Sequence, residues 1–317
     1  MLEKKILGKL KDYKNLILII VVLFLGVSSF VLYRYYSQDF GIEQIASDVE
    51  TGYSVDYFVY ADEELEGREN VPLIVHTFHA GIEDEVEGET IEERAYQTTR
   101  SLHSIAREID GVMVVPAFSL TESPEKSINS QSIISRYEQT GAELKAIIDD
   151  IKSRMQERNI NLADRVNLFG FGYSALYASR WQLMYPETVK TAVLGAPGEW
   201  PAVPAEEFED NVFDYPLGLT GLEDKTERSE ALEEIAVFHF QGQEDEFSVI
   251  SDTRIFADKH RQQLQDLAEQ NNEYLDIVSE LFTRNSLEYK YSTYEDVDHR
   301  FNLEMHDDVV EFLEKHN

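Results

Sequence analysis

Short runs rich in β-branched and aromatic residues alternate along the chain with longer stretches of helical periodicity. Seven runs read as strands: VDYFVYA (55–61), PLIVHTF (72–78), GVMVVPA (111–117), RVNLFGF (165–171), KTAVLGA (190–196), IAVFHFQG (235–242) and LEYKYSTYE (287–295). Helical patterns fall between them at 91–109, 132–158, 176–186 and 253–285, with a last one at 307–316. Alternating strands and helices imply βαβ units, hence an α/β fold with a largely parallel sheet covered on both faces. The first two strands leave no room for a helix between them and predict an antiparallel beginning. Periodicity alone leaves several α/β folds open.

One apolar run breaks this pattern. NLILIIVVLFLGVSSFVLY (15–33) is 19 residues long and carries no charge, the length needed to cross a bilayer core as a helix. The preceding residues hold Lys4, Lys5, Lys9, Lys11 and Lys14 against Glu3 and Asp12, which predicts a cytoplasmic N-terminus. A cleaved signal peptide is the competing reading, but the run is long for one and no A-x-A-like site follows. The expected organisation is a basic cytoplasmic segment at 1–14, a single transmembrane anchor at 15–35, a polar stalk at 36–52 and an exterior domain at 53–317. The protein is therefore expected in the cell membrane, single-pass, with its C-terminal domain extracytoplasmic.

Charge sharpens the exclusions. The chain holds 28 Lys and Arg against 61 Asp and Glu, a net −33. A phosphate backbone is repelled by such a surface, so no nucleic-acid partner is expected. With no cysteine, disulfides, thiol catalysis and thiolate metal sites are excluded, and any nucleophile must be an oxygen. His76 and His79 are close in sequence but lack a placed third ligand, so no metal site is expected, and no cofactor. The acidic run Glu83, Asp84, Glu85, Glu87, Glu89, Glu92 and Glu93 lacks EF-hand spacing and reads as a solvated loop.

The candidate chemistry lies where RVNLF runs into Gly170-Phe171-Gly172-Tyr173-Ser174 and then a helix ending at Tyr185-Pro186. This resembles the strand, elbow and helix of esterase-like α/β-hydrolases, in particular a bacterial subgroup with G-F-S-A-S elbows. In that elbow a nucleophilic serine stands on a sharp strand-to-helix turn. Counting from Arg165 and back from Pro186 places the nucleophile position at Gly172, with Ser174 two residues beyond. HFQGQEDEFS resembles the strand-end G-x-x-D loop and implies Asp245 as the acid. YEDVDHRFNLEMHDD resembles the segment before the last helix and implies His299 as the base, although the glycine of G-x-x-H is missing. GAPGEWPAVP and DYPLGLTGLED are similar to a cap-like insertion, placed around 198–234. The likeness spans about residues 53–315.

The resemblance implies oxyanion donors at Tyr173 and in the His79-Ala80 stretch, and a pocket for a small ester-like or peptide-like ligand under the insertion near Trp200. Glycine at position 172 relieves the strain of the elbow backbone while deleting the attacking Oγ. The leading expectation is hydrolysis that is weak or absent on a fold of carboxylic-ester hydrolase descent. Two alternatives stay open: an active serine ester hydrolase using Ser174, Asp245 and His299, and a surface scaffold that uses the fold for interaction.

Overall fold

The computed structural model describes residues 41–77, 79–80, 89–119, 130–198, 202–208, 211–245, 262 and 274–317. Residues Gly41–Asn317 form one compact unit, and residues 1–40 lie outside the described residues. The anchor expected at 15–35 and the basic segment before it are therefore not among them. Among the described residues no helix is long and apolar enough to cross a membrane.

All seven expected strands are present, and among the described residues they join an eight-stranded sheet. In chain order its strands are β1 (Ile42–Ile45), β2 (Tyr57–Tyr60), β3 (Leu73–His76), β5 (Val112–Pro116), β7 (Val166–Phe171), β8 (Val189–Gly195), β11 (Ala236–Gly242) and β12 (Glu288–Tyr294). Two short pairings stand apart: β4 (His79–Ala80) with β6 (Phe118–Ser119), and β9 (Glu207–Phe208) with β10 (Asn211–Val212). The spatial order of the large sheet is β1-β2-β5-β3-β7-β8-β11-β12. The first two pairings, β1 with β2 and β2 with β5, are antiparallel, and the others are parallel.

Two expectations need correction here. The opening strands β2 and β3 do run in opposite directions, but β5 lies between them. Chain order alone could not show that a later strand enters the gap. The stretch assigned to a stalk also joins the fold. Ile42–Ile45 pairs with β2 from Ile42↔Tyr60 to Ile45↔Tyr57, and Asp48 bridges Tyr53. Only two of the four residues in IEQI are apolar, as suits an edge strand.

The helices are α1 (Ile91–Glu108), α2 (Ser130–Glu157), α3 (Tyr173–Met184), α4 (Lys225–Leu232), α5 (Tyr274–Asn285) and α6 (Leu303–His316). Side chains alternate across each strand, so successive residues serve opposite faces. Leu73, Val75, Val112, Val114, Val166 and Leu168 face one layer, packing with Ile148, Ile151, Trp181 and Leu281 of α2, α3 and α5. Ile74, Met113, Val115, Phe169 and Phe238 face the other, with Ala95 and Ile105 of α1 and Val309 and Phe312 of α6. Burial on both sides explains the nearly continuous apolar runs that made these strands readable.

Helix starts are set locally. Thr90 Oγ1 accepts from the Glu93 N–H at 3.1 Å, and Glu93 accepts from the Thr90 N–H at 2.8 Å, closing a capping box at α1. Glu92 and Glu93, counted above both in the acidic run and in the helical pattern from 91, belong to the first turn of α1. Asn302 Oδ1 accepts from the Met305 N–H at 2.9 Å and starts α6 directly after the His299 loop. The insertion is packed down: Ala202, Val203, Phe213, Leu217 and Leu232 join the α2/α3/α5 core, and the Ala202 N–H donates to Ser179 Oγ on α3 at 3.0 Å. Trp200, under which a ligand pocket was expected, lies outside the described residues.

Candidate functional site

The site forms where β3, β7 and β11 end and where the chain turns from β12 toward α6. At the end of β7 the chain reverses into α3 through Gly172, whose φ of 62° and ψ of −127° lie where an L-residue is strained. The Gly172 N–H donates to the Gly195 carbonyl of β8 at 2.9 Å, and its own carbonyl accepts from Ala175 at 3.0 Å and Leu176 at 3.2 Å. The turn is so tight that a Cβ on Gly170 would lie 2.5 Å from the backbone of Ser174 and Ala175. Fixed backbone cannot yield to that contact. Gly170 is thus required by close approach, while Gly172 is the residue most at ease with the apex dihedrals.

Ser174 lies within α3 and is buried. Its Oγ donates to the Phe171 carbonyl at 3.1 Å, and its carbonyl accepts from Thr77 Oγ1 at 2.7 Å. A shifted elbow with Ser174 at its apex requires the strand to extend through Phe171. The strand does extend that far, but the reversal follows at Gly172 and the helix begins at Tyr173.

The other two positions come together. Asp245 follows β11, His299 follows β12, and the loops are tied by backbone bonds from Gln243 N–H to the Tyr294 carbonyl and from Glu244 N–H to the Val297 carbonyl, both 2.9 Å. His299 Nδ1 lies 2.9 Å and 3.1 Å from the two Asp245 carboxylate oxygens. The carboxylate is nearly enclosed, at 5% exposure, while the imidazole is 37% exposed. Such a pairing fixes the ring and turns its other nitrogen outward. That nitrogen, Nε2, sits 2.9 Å from where a Cβ on Gly172 would stand. The Phe171 ring braces the imidazole, with centroids 5.1 Å apart.

The glycine missing from G-x-x-H has a physical substitute. Its position is Asp296, which takes the left-handed conformation itself, with φ of 57°. Aspartate tolerates that region better than most side chains, so the turn survives without glycine.

Of the oxyanion candidates, Tyr173 is the first residue of α3, directly after the apex. His79 and Ala80 form β4 beyond the end of β3. Thr77 was not singled out by sequence reasoning, yet its N–H donates to the Phe169 carbonyl at 3.0 Å and its hydroxyl holds the first turn of α3. Its only sequence signal is its place at the end of an apolar run. His76 is buried and packs edge-on to Phe169, with ring centroids 5.2 Å apart. Among the described residues no group of three His, Asp or Glu is placed to hold a metal ion.

No protein-family model matches the sequence, and no curated protein matches it. Solved structures do match. Poly(aspartic acid) hydrolase-1 from Sphingomonas sp. KT-1 aligns with a TM-score of 0.54 at 12% identity, over 87% of this chain and 97% of that one. Est1E from Butyrivibrio proteoclasticus gives 0.45 at 11% identity, over 87% and 98%. The ferulic acid esterase AmCE1/Fae1A from Anaeromyces mucronatus gives 0.43 at 14%, over 86% and 91%. At these identities the likeness concerns the fold alone, and the first of the three carries it. The eight-stranded, mostly parallel sheet with helices on both faces agrees with the α/β-hydrolase fold.

Proposed function

We propose that this chain is a membrane-anchored, extracytoplasmic protein of esterase-like descent in which Gly172 occupies the nucleophile position, so that ester hydrolysis is weak or absent while a small-molecule or peptide pocket is retained. The observation that carries this reading is the 2.9 Å separation between His299 Nε2 and the Cβ position of Gly172. His299, oriented by Asp245, faces the apex of the elbow, where Gly172 has no side chain. Without an Oγ no acyl-enzyme can form, and a water held by His299 would have to attack directly, without the covalent step that divides the barrier. The anchor rests on the uncharged run at 15–33 and the lysines before it.

The second reading, an active hydrolase using Ser174, is disfavoured by the bond from Ser174 Oγ to the Phe171 carbonyl, which engages that hydroxyl beside the helix start. The two readings differ in one test. A fluorophosphonate probe, which needs a histidine-activated serine, is expected to leave the purified chain unlabelled. Strong labelling that disappears in Ser174→Ala would replace the first reading by the second. The scaffold reading differs in expecting no ligand at the elbow.

A further inference from the structure

Besides packing on His299, Phe171 borders an open cleft of about 1010 Å³ between α1 and α6, on the opposite face of the sheet from α3. Phe169, Phe171 and Phe301 make its wall, with Phe301 5.6 Å and 6.0 Å from the other two by ring centroids. Leu303, 80% exposed on the first turn of α6, also lines the cleft. The seam between the helices is pinned by Ser104 Oγ and His306 Nε2 at 2.9 Å, so the cleft is held by a polar contact as well as by packing. Its volume is that of a site for a small organic ligand.

The charges select the ligand. Glu108, Glu304 and Asp307 line the cleft and are exposed, and among the described residues no lysine or arginine lines it. The field of a chain with net charge −33 adds to theirs. An anion is repelled, and a neutral apolar group gains only burial. A cationic aromatic ligand gains both, the carboxylates for its ammonium and the apolar wall for its ring.

We propose that this cleft binds small cationic aromatic ligands, with the ring against Phe169, Phe171 and Phe301 and the ammonium toward Glu108, Glu304 and Asp307. The cleft shares Phe171 with the elbow but includes neither Gly172 nor His299, and binding there needs no hydrolysis. Phe171, which lines the cleft, is also the ring against His299.

Three probes of one skeleton isolate the charge: tryptamine, tryptophol and indole-3-propionate, titrated calorimetrically into the full chain with Gly172 unchanged. Tryptamine is expected to bind at least about tenfold more tightly than tryptophol, and indole-3-propionate more weakly than either. Salt should narrow the first gap, because the rim carboxylates are solvent-screened. The triple variant Glu108→Gln, Glu304→Gln, Asp307→Asn alters only exposed positions and should bring tryptamine within about twofold of tryptophol, since only burial remains. Leu102→Trp, which fills the cleft, should abolish binding of both. Equal binding of all three probes, no binding by tryptamine, a tryptamine preference that survives the triple variant, or binding that survives Leu102→Trp overturns the proposal. Because no turnover is read, each outcome is independent of whether the elbow hydrolyses esters.

Discussion

At the scale of single residues, the elbow joins a strand to a helix through a glycine whose backbone conformation strains other residues. The frame was legible because the strand start at Arg165 and the helix end at Pro186 bracket the turn, and Gly172 does stand at its apex. Restoring the side chain tests whether the rest is intact. Gly172→Ser sets a Cβ into the strained φ of 62° and against an imidazole nitrogen 2.9 Å away, so His299 must withdraw by several tenths of an ångström. Its partial exposure leaves room for that movement. The substitution should cost about 1–3 kcal/mol in stability and create measurable hydrolysis of short activated esters. Addition of His299→Ala should return the rate to background. A folded Gly172→Ser protein inert across such a panel would show that more than the nucleophile has been lost. What the sequence hid at this scale was backbone conformation. Asp296 in a left-handed turn looks like a missing glycine, and Thr77 looks like an ordinary strand-end residue, because each acts through a dihedral angle or a distant carbonyl.

At the scale of elements, strands buried on two faces announced themselves, while their neighbours did not. Nothing in PLIVHTF tells that β5 will separate it from β2, because both pairings bury the same residues. Contacts far apart in sequence escaped for the same reason. Tyr53 and Tyr57 donate to Asp150 Oδ2 of α2 at 2.9 Å and 2.5 Å, and Arg154 Nε donates to the same oxygen at 2.7 Å. Burial pushes the Asp150 carboxyl up, but the bonds from Tyr57, Arg154 and Tyr53 outweigh it and hold the pKa below its ordinary value. A carboxyl lowered in the folded state stabilises the fold above its unfolded pKa, near 4, and that contribution is lost as pH falls through the lower folded value. Asp150→Asn should therefore destabilise the protein by about 1–3 kcal/mol at neutral pH, since two partly enclosed phenols lose a charged acceptor. The difference from the parent should shrink on acidification below about pH 4. Thermal melts of the two proteins between pH 7 and pH 3 check both parts, and a difference that grows with acid would refute the assignment.

At the scale of the whole molecule, the boundary between the proposed anchor and the domain carries the last prediction. The sequence marked that boundary by composition, placing a stalk up to residue 52, because residues 36–52 are polar and lack a long apolar run. Edge strands need only one apolar face and a few residues, so β1 was invisible to that criterion. Its hydrogen bonds nevertheless occupy the outer edge of β2, and Ile45 and Tyr53 are buried in the core beneath it. A chain cut before residue 53 would expose the β2 edge, with Tyr57 and Phe58 beside it, as a template for pairing with other copies. Residues 41–317, which carry 22 basic and 58 acidic side chains, keep that edge covered and should stay soluble and melt cooperatively. Residues 53–317 should melt lower and aggregate, despite the same strongly acidic surface. On the proposed anchoring, the full chain should pellet with membranes and resist extraction by high salt or alkaline carbonate, since attachment through the uncharged apolar run at 15–33 would not depend on charge. Fractionation and scanning calorimetry of the three proteins separate the claims. Release of the full chain by salt would remove the anchor, and equal melting of the 41–317 and 53–317 forms would return β1 to the stalk.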